Sequence, residues 1–237
     1  MERETAVRRL GLGYFVRPAA ETGGEWPRVE PVLAYLVRYG EELILFDTGI
    51  GRADAETEAH YRPRRRPLRE ALAAAGAAVG DVSLVVNCHL HFDHCGGNPL
   101  FGGTPVLVQS TELAAARGGG HTVEELVDFP GAVYEEVAGE VELRPGLRVV
   151  PTPGHTAGHQ SLVVRQGDGT VVLAGQAHDF ASDFASAHLA RTAALDGVAP
   201  PLPPYPAWLD RIAGLDPRRV VFAHDCSVWE PPGAEGR

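Results

Sequence analysis

Apolar residues along this chain fall into short, nearly unbroken runs separated by glycine, proline and charge. Val32 to Val37 and Leu43 to Phe46 are such runs, and continuous apolar stretches of this length mark strands buried on both faces. The Tyr39-Gly40-Glu41 turn between them predicts an antiparallel hairpin, with Leu12 to Val16 as a weaker strand before it. Ala53 to Pro67 is polar and irregular, a loop or short helix. Pro67 at the start and Gly76 past the end predict a helix over Leu68 to Ala75. Val82 to Val86 reads as a buried strand, and Val106 to Gln109 as another. Ser110 has the chemistry of an N-cap for a helix over Glu112 to Ala116, closed by Gly118-Gly119-Gly120. Thr122 with Glu125 has the form of a capping box for a short helix through Val127. Val133 to Val150 reads as strand, Pro145-Gly146 turn and strand. Ser161 to Val164 and Thr170 to Ala174 form a hairpin around Gly167-Asp168-Gly169. A helical or irregular region follows over Ala181 to Leu195, then a stiff Pro-rich connection over Ala199 to Pro206, a helix around Ala207 to Gly214 and a last strand, Arg219 to Ala223. The expected fold class is α/β, one domain over residues 1–237.

Charge narrows the classes of partner. Lys and Arg number 21 against 31 Asp and Glu, a net charge of −10, which leaves no extended face to neutralise nucleic-acid phosphates. The one basic run, Arg62 to Arg69, reads first as a solvated lead-in to a helix and second as a site for an anionic substrate or partner. Met1 to Leu10 mixes both signs of charge, and no stretch approaches the ~20 apolar residues of a membrane span. Three cysteines make no disulfide framework. A cytoplasmic protein acting on a small molecule, with no nucleic acid and no membrane, is the expectation. Cys88 and Cys95 read as packing residues.

Chemistry concentrates directly after the Val82 to Val86 strand, in Asn87-Cys88-His89-Leu90-His91-Phe92-Asp93-His94-Cys95-Gly96-Gly97. Three histidines and an aspartate within six residues supply the nitrogen and carboxylate ligands that suit zinc and related metals. His89 and His91, two apart on extended backbone, face the same way. His155 and His224 each follow the C-terminal end of a predicted strand, where α/β proteins build sites. Asp47, leaving the Leu43 to Phe46 strand, reads equally as turn chemistry or as a carboxylate that orients a metal-bound histidine.

His89-x-His91-x-Asp93-His94, Gly154-His155-Thr156-x-Gly158-His159, Ala223-His224-Asp225 and Phe46-Asp47-Thr48-Gly49 together resemble the metallo-β-lactamase fold superfamily. The run from Pro153 to Leu162 is most similar to the N-acyl homoserine lactonases. The resemblance implies an αβ/βα four-layer sandwich, two mixed β-sheets packed face to face with helices outside, and a metal site along one edge. It implies that His89, His91 and His155 hold one metal and that Asp93, His94 and His224 hold a second. Asp47 would support them and His159 would not be a ligand. Two zinc ions are expected, with iron or manganese as alternatives. Such ions would lower the pKa of a bound water and polarise a carbonyl, so that a metal-bound hydroxide opens a lactone or cleaves a related carboxylic ester. Asp93 would orient the attacking water.

Two positions depart from the family pattern. Gln176 stands where the family places an aspartate bridging both metals, and a glutamine offers only a neutral oxygen. The second ion is therefore expected to bind more weakly. Asp179 stands where the lactonases commonly carry a tyrosine, and with His178 it is a candidate ligand or proton donor. The alternatives to a lactonase are a thioester hydrolase of the glyoxalase II type, single-iron redox chemistry, or a degenerate member that binds metal with little turnover. Many relatives dimerise, which makes a homodimer a candidate assembly. Phe15, Trp26, Tyr61, Phe180, Phe184 and Tyr205 are candidates for an apolar pocket, weighed evenly against ordinary packing.

Overall fold

The computed structural model describes residues 4–232. In chain order the elements are β1 (Thr5–Arg17), α1 (Ala19–Thr22), β2 (Arg28–Tyr39), β3 (Glu42–Phe46), α2 (Ala55–Tyr61), β4 (Arg64–Arg65), α3 (Leu68–Ala74), β5 (Val82–Val86), β6 (Pro105–Gln109), α4 (Ser110–Arg117) and β7 (Val133–Val137). Then come β8 (Val141–Arg144), β9 (Leu147–Pro151), β10 (Gln160–Gln166), β11 (Gly169–Leu173), α5 (Ala181–Leu195), α6 (Trp208–Ala213), β12 (Pro217–Val221) and β13 (Val228–Trp229). One mixed sheet has the order β4-β1-β2-β3-β5-β6-β7, the other β13-β12-β11-β10-β9-β8.

Three apolar layers follow from the side-chain period of two. Leu33, Tyr35 and Val37 of β2 face the second sheet with Phe46, Val86, Leu147, Leu162 and Leu173. Their alternates Val32, Ala34 and Leu36 face outward under Leu68, Leu72 and Leu113 of α3 and α4. On the far side of the second sheet, Val163, Val172 and Val220 are covered by Phe184, Leu209 and Ile212 of α5 and α6. Helix, sheet, sheet, helix is the four-layer sandwich, and burial on both faces explains the unbroken apolar run of β2.

Several local expectations are corrected. The stretch from Val133 to Val150 divides between the sheets: β7 pairs parallel with β6, whereas β8 pairs antiparallel with β9. Ser110 is the first helical residue of α4, and Gln109 occupies the N-cap without capping it, because its amide bonds to Gly139 and Gln160. No capping box forms at Thr122: the turn over Glu124–Leu126 has Val123 at its N-cap and no side-chain cap. The weak strand of Leu12 to Val16 is the middle of a 13-residue strand. Within the basic run, Arg65 is committed to the Gly51 carbonyl and to Glu58. Among the described residues no helix is long and apolar enough to cross a membrane.

Candidate metal centre

Five strand ends deliver the site: Asp47 after β3, the histidine loop after β5, His155 after β9, Gln176 after β11 and His224 after β12. β3 with β5 and β11 with β12 are parallel pairs, so their C-terminal ends open on the same edge of each sheet. Asp47 is both a turn residue and a supporting carboxylate. It takes a left-handed backbone (φ 62°), which aspartate tolerates better than most residues. Its Oδ1 accepts the Cys88 N–H at 2.8 Å, and its Oδ2 lies 3.0 Å from His94 Nδ1. Gly175, also left-handed, lets the β11 end close on the loop, since a Cβ there would sit 2.5 Å from the Cys88 Cβ.

Hydrogen bonding fixes the tautomers. The His224 Nδ1 donates to the Pro31 carbonyl at 3.0 Å, and His94 Nδ1 donates to the Asp47 carboxylate. Both Nε2 atoms then carry lone pairs, yet they stand 3.1 Å apart. Asp93 Oδ2 is 3.5 Å from one and 3.4 Å from the other. Gln176 Oε1 is 3.2 Å from His94 Nε2, while its amide nitrogen donates to Asp179 Oδ1 at 2.9 Å. Four acceptors converge on one point in a buried space, which requires a positive charge among them. That charge is a proton on His94 or a cation. Burial lowers the His94 pKa, but Asp93 and Asp47 outweigh it and raise the group above its ordinary value. Burial works against the Asp93 charge, and His94, His224 and His91 hold its pKa below the usual carboxylate value.

A second group lies alongside. His155 Nε2 is 3.0 Å from His91 Nδ1, and the rings of both lie within 4.7 Å of the His89 ring. Cys88 sets the His89 tautomer and is more than the packing residue its sequence context suggests. Burial and the neighbouring Asp47 push its thiol well up, so it stays protonated and donates to Asp47 Oδ2 at 3.0 Å. Its sulfur, 3.1 Å from His89 Nδ1, then accepts that N–H. His89 Nε2 is left as a fully buried lone pair with no hydrogen-bond partner. Burial, then the neighbouring histidines, push the His89 pKa well down, and burial takes His91 down to about 4. Ligand atoms within 4.8 Å of one another, three imidazole nitrogens in His89, His91 and His155 and a carboxylate oxygen with two imidazole nitrogens in Asp93, His94 and His224, suit a divalent ion.

The family assignment rests on the whole span. A sequence model of the metallo-beta-lactamase superfamily matches residues 27–224, from just before β2 to His224. The chain belongs to that superfamily. Its fold is the metallo-β-lactamase fold, with helices outside two mixed sheets. Among curated proteins, an N-acyl homoserine lactonase of a Bacillus species is 33% identical over 156 residues, 60% of this chain and 62% of the lactonase. The matched stretch therefore spans less than two thirds of that relative. A human metallo-beta-lactamase domain-containing protein is 40% identical over 119 residues, 47% of this chain and 38% of that protein. The solved structure of an N-acyl homoserine lactone hydrolase, with the product N-hexanoyl-L-homoserine at its catalytic metal center, superposes with a TM-score of 0.75. It is 25% identical and covers 95% of each chain.

The residues singled out from sequence fall unevenly. His89, His91, Asp93, His94, His155, Gln176 and His224 converge. Asp179 contacts the group only through Gln176. Burial works against the Asp179 charge, but the Gln176 hydrogen bond and Arg17 more than offset it and hold its pKa below the usual carboxylate value. His178 packs beside Trp208 and Phe184 instead. Phe15 and Tyr61 line a cavity of about 430 Å³ that opens on Asp93, His155 and Gln176. Trp26 is exposed, and Phe184 is core under α5. Two buried acids escaped sequence reasoning. Glu112 accepts from Leu90 N at 2.8 Å, His121 Nε2 at 2.7 Å and Thr156 Oγ1 at 2.7 Å, joining the loops of His89, His91 and His155. Its place beside Leu113 and Ala116 on the buried face of α4 was the available signal. Glu30 lies in register with Val32, Ala34 and Leu36, an acid in a row of core positions.

Proposed function

We propose that this chain is a metal-dependent hydrolase that opens a lactone or cleaves a related carboxylic ester. The buried, partnerless Nε2 of His89 beside His91 and His155 is the observation that carries the reading. His89, His91 and His155 would hold one ion, and Asp93, His94 and His224 a second, with Gln176 as a neutral neighbour of that group. Zinc is the ion proposed, with iron or manganese as the alternatives. Such ions supply Lewis acidity, lowering the pKa of a water and polarising a carbonyl.

The chain's own groups do the rest. Asp93, kept ionised by the surrounding histidines, accepts a hydrogen bond from the attacking water and takes its proton as the water's oxygen adds to the carbonyl. Asp47 and the Pro31 carbonyl fix the orientation of His94 and His224. Asp179 holds Gln176 with its carbonyl oxygen toward His94. Phe15, Tyr61 and Phe92, with ring centroids 5.8 Å apart in sequence, give the cavity an apolar wall against which an acyl chain excludes water. The similarity to lactonases favours a lactone over other esters. Metal analysis of protein purified without added metal, followed by lactone and ester hydrolysis with and without chelator, tests the reading. A metal-loaded sample inert toward every lactone and ester tried would sink it.

A further inference from the structure

Among the residues lining the cavity is a cation that the hydrolytic reading leaves without a task. Arg17, the last residue of β1, lines the same cavity as Asp93, His155 and Gln176. Its Nε is clamped to the Glu30 carboxylate at 2.9 and 3.0 Å. Glu30 is fully buried, so its charge must be matched. The match is more than sufficient, because Arg28 also binds Glu30, from Nε at 2.7 Å and Nη2 at 2.6 Å. Register explains the arrangement: Arg17 and Arg28 are cross-strand partners, and Glu30 lies opposite Phe15 on the adjoining rungs.

With Nε engaged, the two terminal nitrogens of Arg17 make no hydrogen bond among the described residues. The nearest further carboxylate, Glu21, is 3.9 Å away. The side chain is only 14% exposed, held with its guanidinium carbon 5.3 Å from the Phe15 ring. Orienting a long cation this firmly beside a cavity removes its rotamer entropy in advance, and the free edge of a guanidinium matches a carboxylate with two parallel N–H donors. The same cavity has an apolar part, the packed rings of Phe15, Tyr61 and Phe92, and Phe15 is the ring against which Arg17 lies.

We propose that Arg17 is a specificity-determining residue that selects substrates carrying a carboxylate, joined through a short alkyl spacer to the lactone or ester under attack. The proposal rests on the hydrolase reading only for the word substrate. The fixed arginine edge and the apolar wall define the same preference for any bound ligand. Cleaving such a substrate yields a product with two acidic groups, so the reaction that supplies it is one that forms an ester or lactone on one carboxyl of a diacid while leaving the other free.

Calorimetric binding to the zinc-loaded protein tests this without requiring turnover. The probes are glutarate, adipate and pimelate against butyrate, pentanoate and hexanoate. One member of the diacid series is expected to bind about tenfold or more tighter than its monoacid counterpart. Arg17→Met should erase that preference while leaving monoacid affinity within about twofold, since Arg28 still neutralises Glu30. Arg17→Lys, which keeps the charge and loses the fork, should restore only part of it. Equal binding of diacids and monoacids by the unaltered protein overturns the proposal, as does a preference that survives Arg17→Met. A primary-amide analogue binding as well as the diacid also overturns it, because a neutral acceptor would then suffice. Esterase and lactonase assays on the same sample report separately on the hydrolase reading: diacid preference without turnover defeats that reading and not this one, and turnover without diacid preference does the reverse.

Discussion

The two candidate ligand groups are built on opposite plans. Around Asp93, His94 and His224, each imidazole is anchored through its far edge, His94 by the Asp47 carboxylate and His224 by the Pro31 carbonyl, and all three side chains are buried. Around His89, His91 and His155 only His89 is held through its far edge, by the Cys88 sulfur, and the loops are joined by one buried acid. Glu112 ties Leu90, between two of the histidines, to Thr156, next to the third. His155 lies exposed at the cavity edge. The inner group is thus pre-formed by a bond to the far edge of each imidazole and short of negative charge, with one carboxylate and a neutral Gln176 oxygen. The outer group depends on one buried acid outside it. A family pattern that names the same six ligands does not distinguish these plans, but the supporting hydrogen bonds do.

Removing the one charge of the inner group should have the largest effect. Asp93→Asn keeps the shape and loses the anion, so turnover should fall by about 10²- to 10⁴-fold. The metal content should drop toward one ion per chain. Activity within tenfold of the parent in the asparagine variant would mean that the inner group is not where water is activated. Restoring charge should act in the opposite direction. Gln176→Glu keeps the side-chain length and places a carboxylate oxygen where the Gln176 oxygen now stands, 3.2 Å from His94 Nε2. It should tighten the more weakly held ion by about 10- to 100-fold, read by competition with a chelator. An unchanged affinity would show that charge is not what limits the inner group.

Glu112→Gln sharpens the contrast from the other side. The amide keeps the volume and one acceptor oxygen, but it cannot accept from Leu90, His121 and Thr156 with both ends. Loss of about tenfold in affinity is expected for one ion only, with the other untouched. Cobalt substitution, read in the visible spectrum, tells the sites apart. Equal loss of both ions would mean that Glu112 supports the fold as a whole.

Sequence made the ligands legible and their supports opaque, for a physical reason. His89, His91, Asp93 and His94 are adjacent in the chain, and His155 and His224 follow apolar runs, so local pattern suffices to find them. Cys88 with Asp47, Glu112 with Thr156 and Arg17 with Glu30 are contacts across 41, 44 and 13 residues of chain. Locally, Cys88, Glu112, Glu30 and Arg17 each have an ordinary explanation as packing, helix charge or strand charge. The same limit governed the fold. The apolar runs located the strands, but nothing local separates β7 from β8, which lie three residues apart and join different sheets. Partner choice is a tertiary decision, made by which apolar face each strand can bury.

The smallest effect is a pH dependence of the metal-free protein, and it differs in sign between the groups. Burial puts the His91 pKa at about 4, below its ordinary 6.5. Between those values the unfolded chain binds the proton that the folded chain refuses, so His91 costs stability as pH falls from about 6.5 toward 4. His94 is shifted up by Asp93 and Asp47 against burial. Its contribution is fully present below 6.5 and is lost as pH rises through the raised value. Thermal unfolding of the metal-free protein should therefore respond to two substitutions in different pH windows. His91→Gln should flatten the fall in Tm between pH 6.5 and 4, and His94→Gln should instead flatten the fall in Tm as pH rises above 6.5, by shifts of about 2–4 °C per kcal/mol in a chain of this size. Responses confined to one pH window would mean that the two groups share one proton inventory and that the contrast between them has no energetic content.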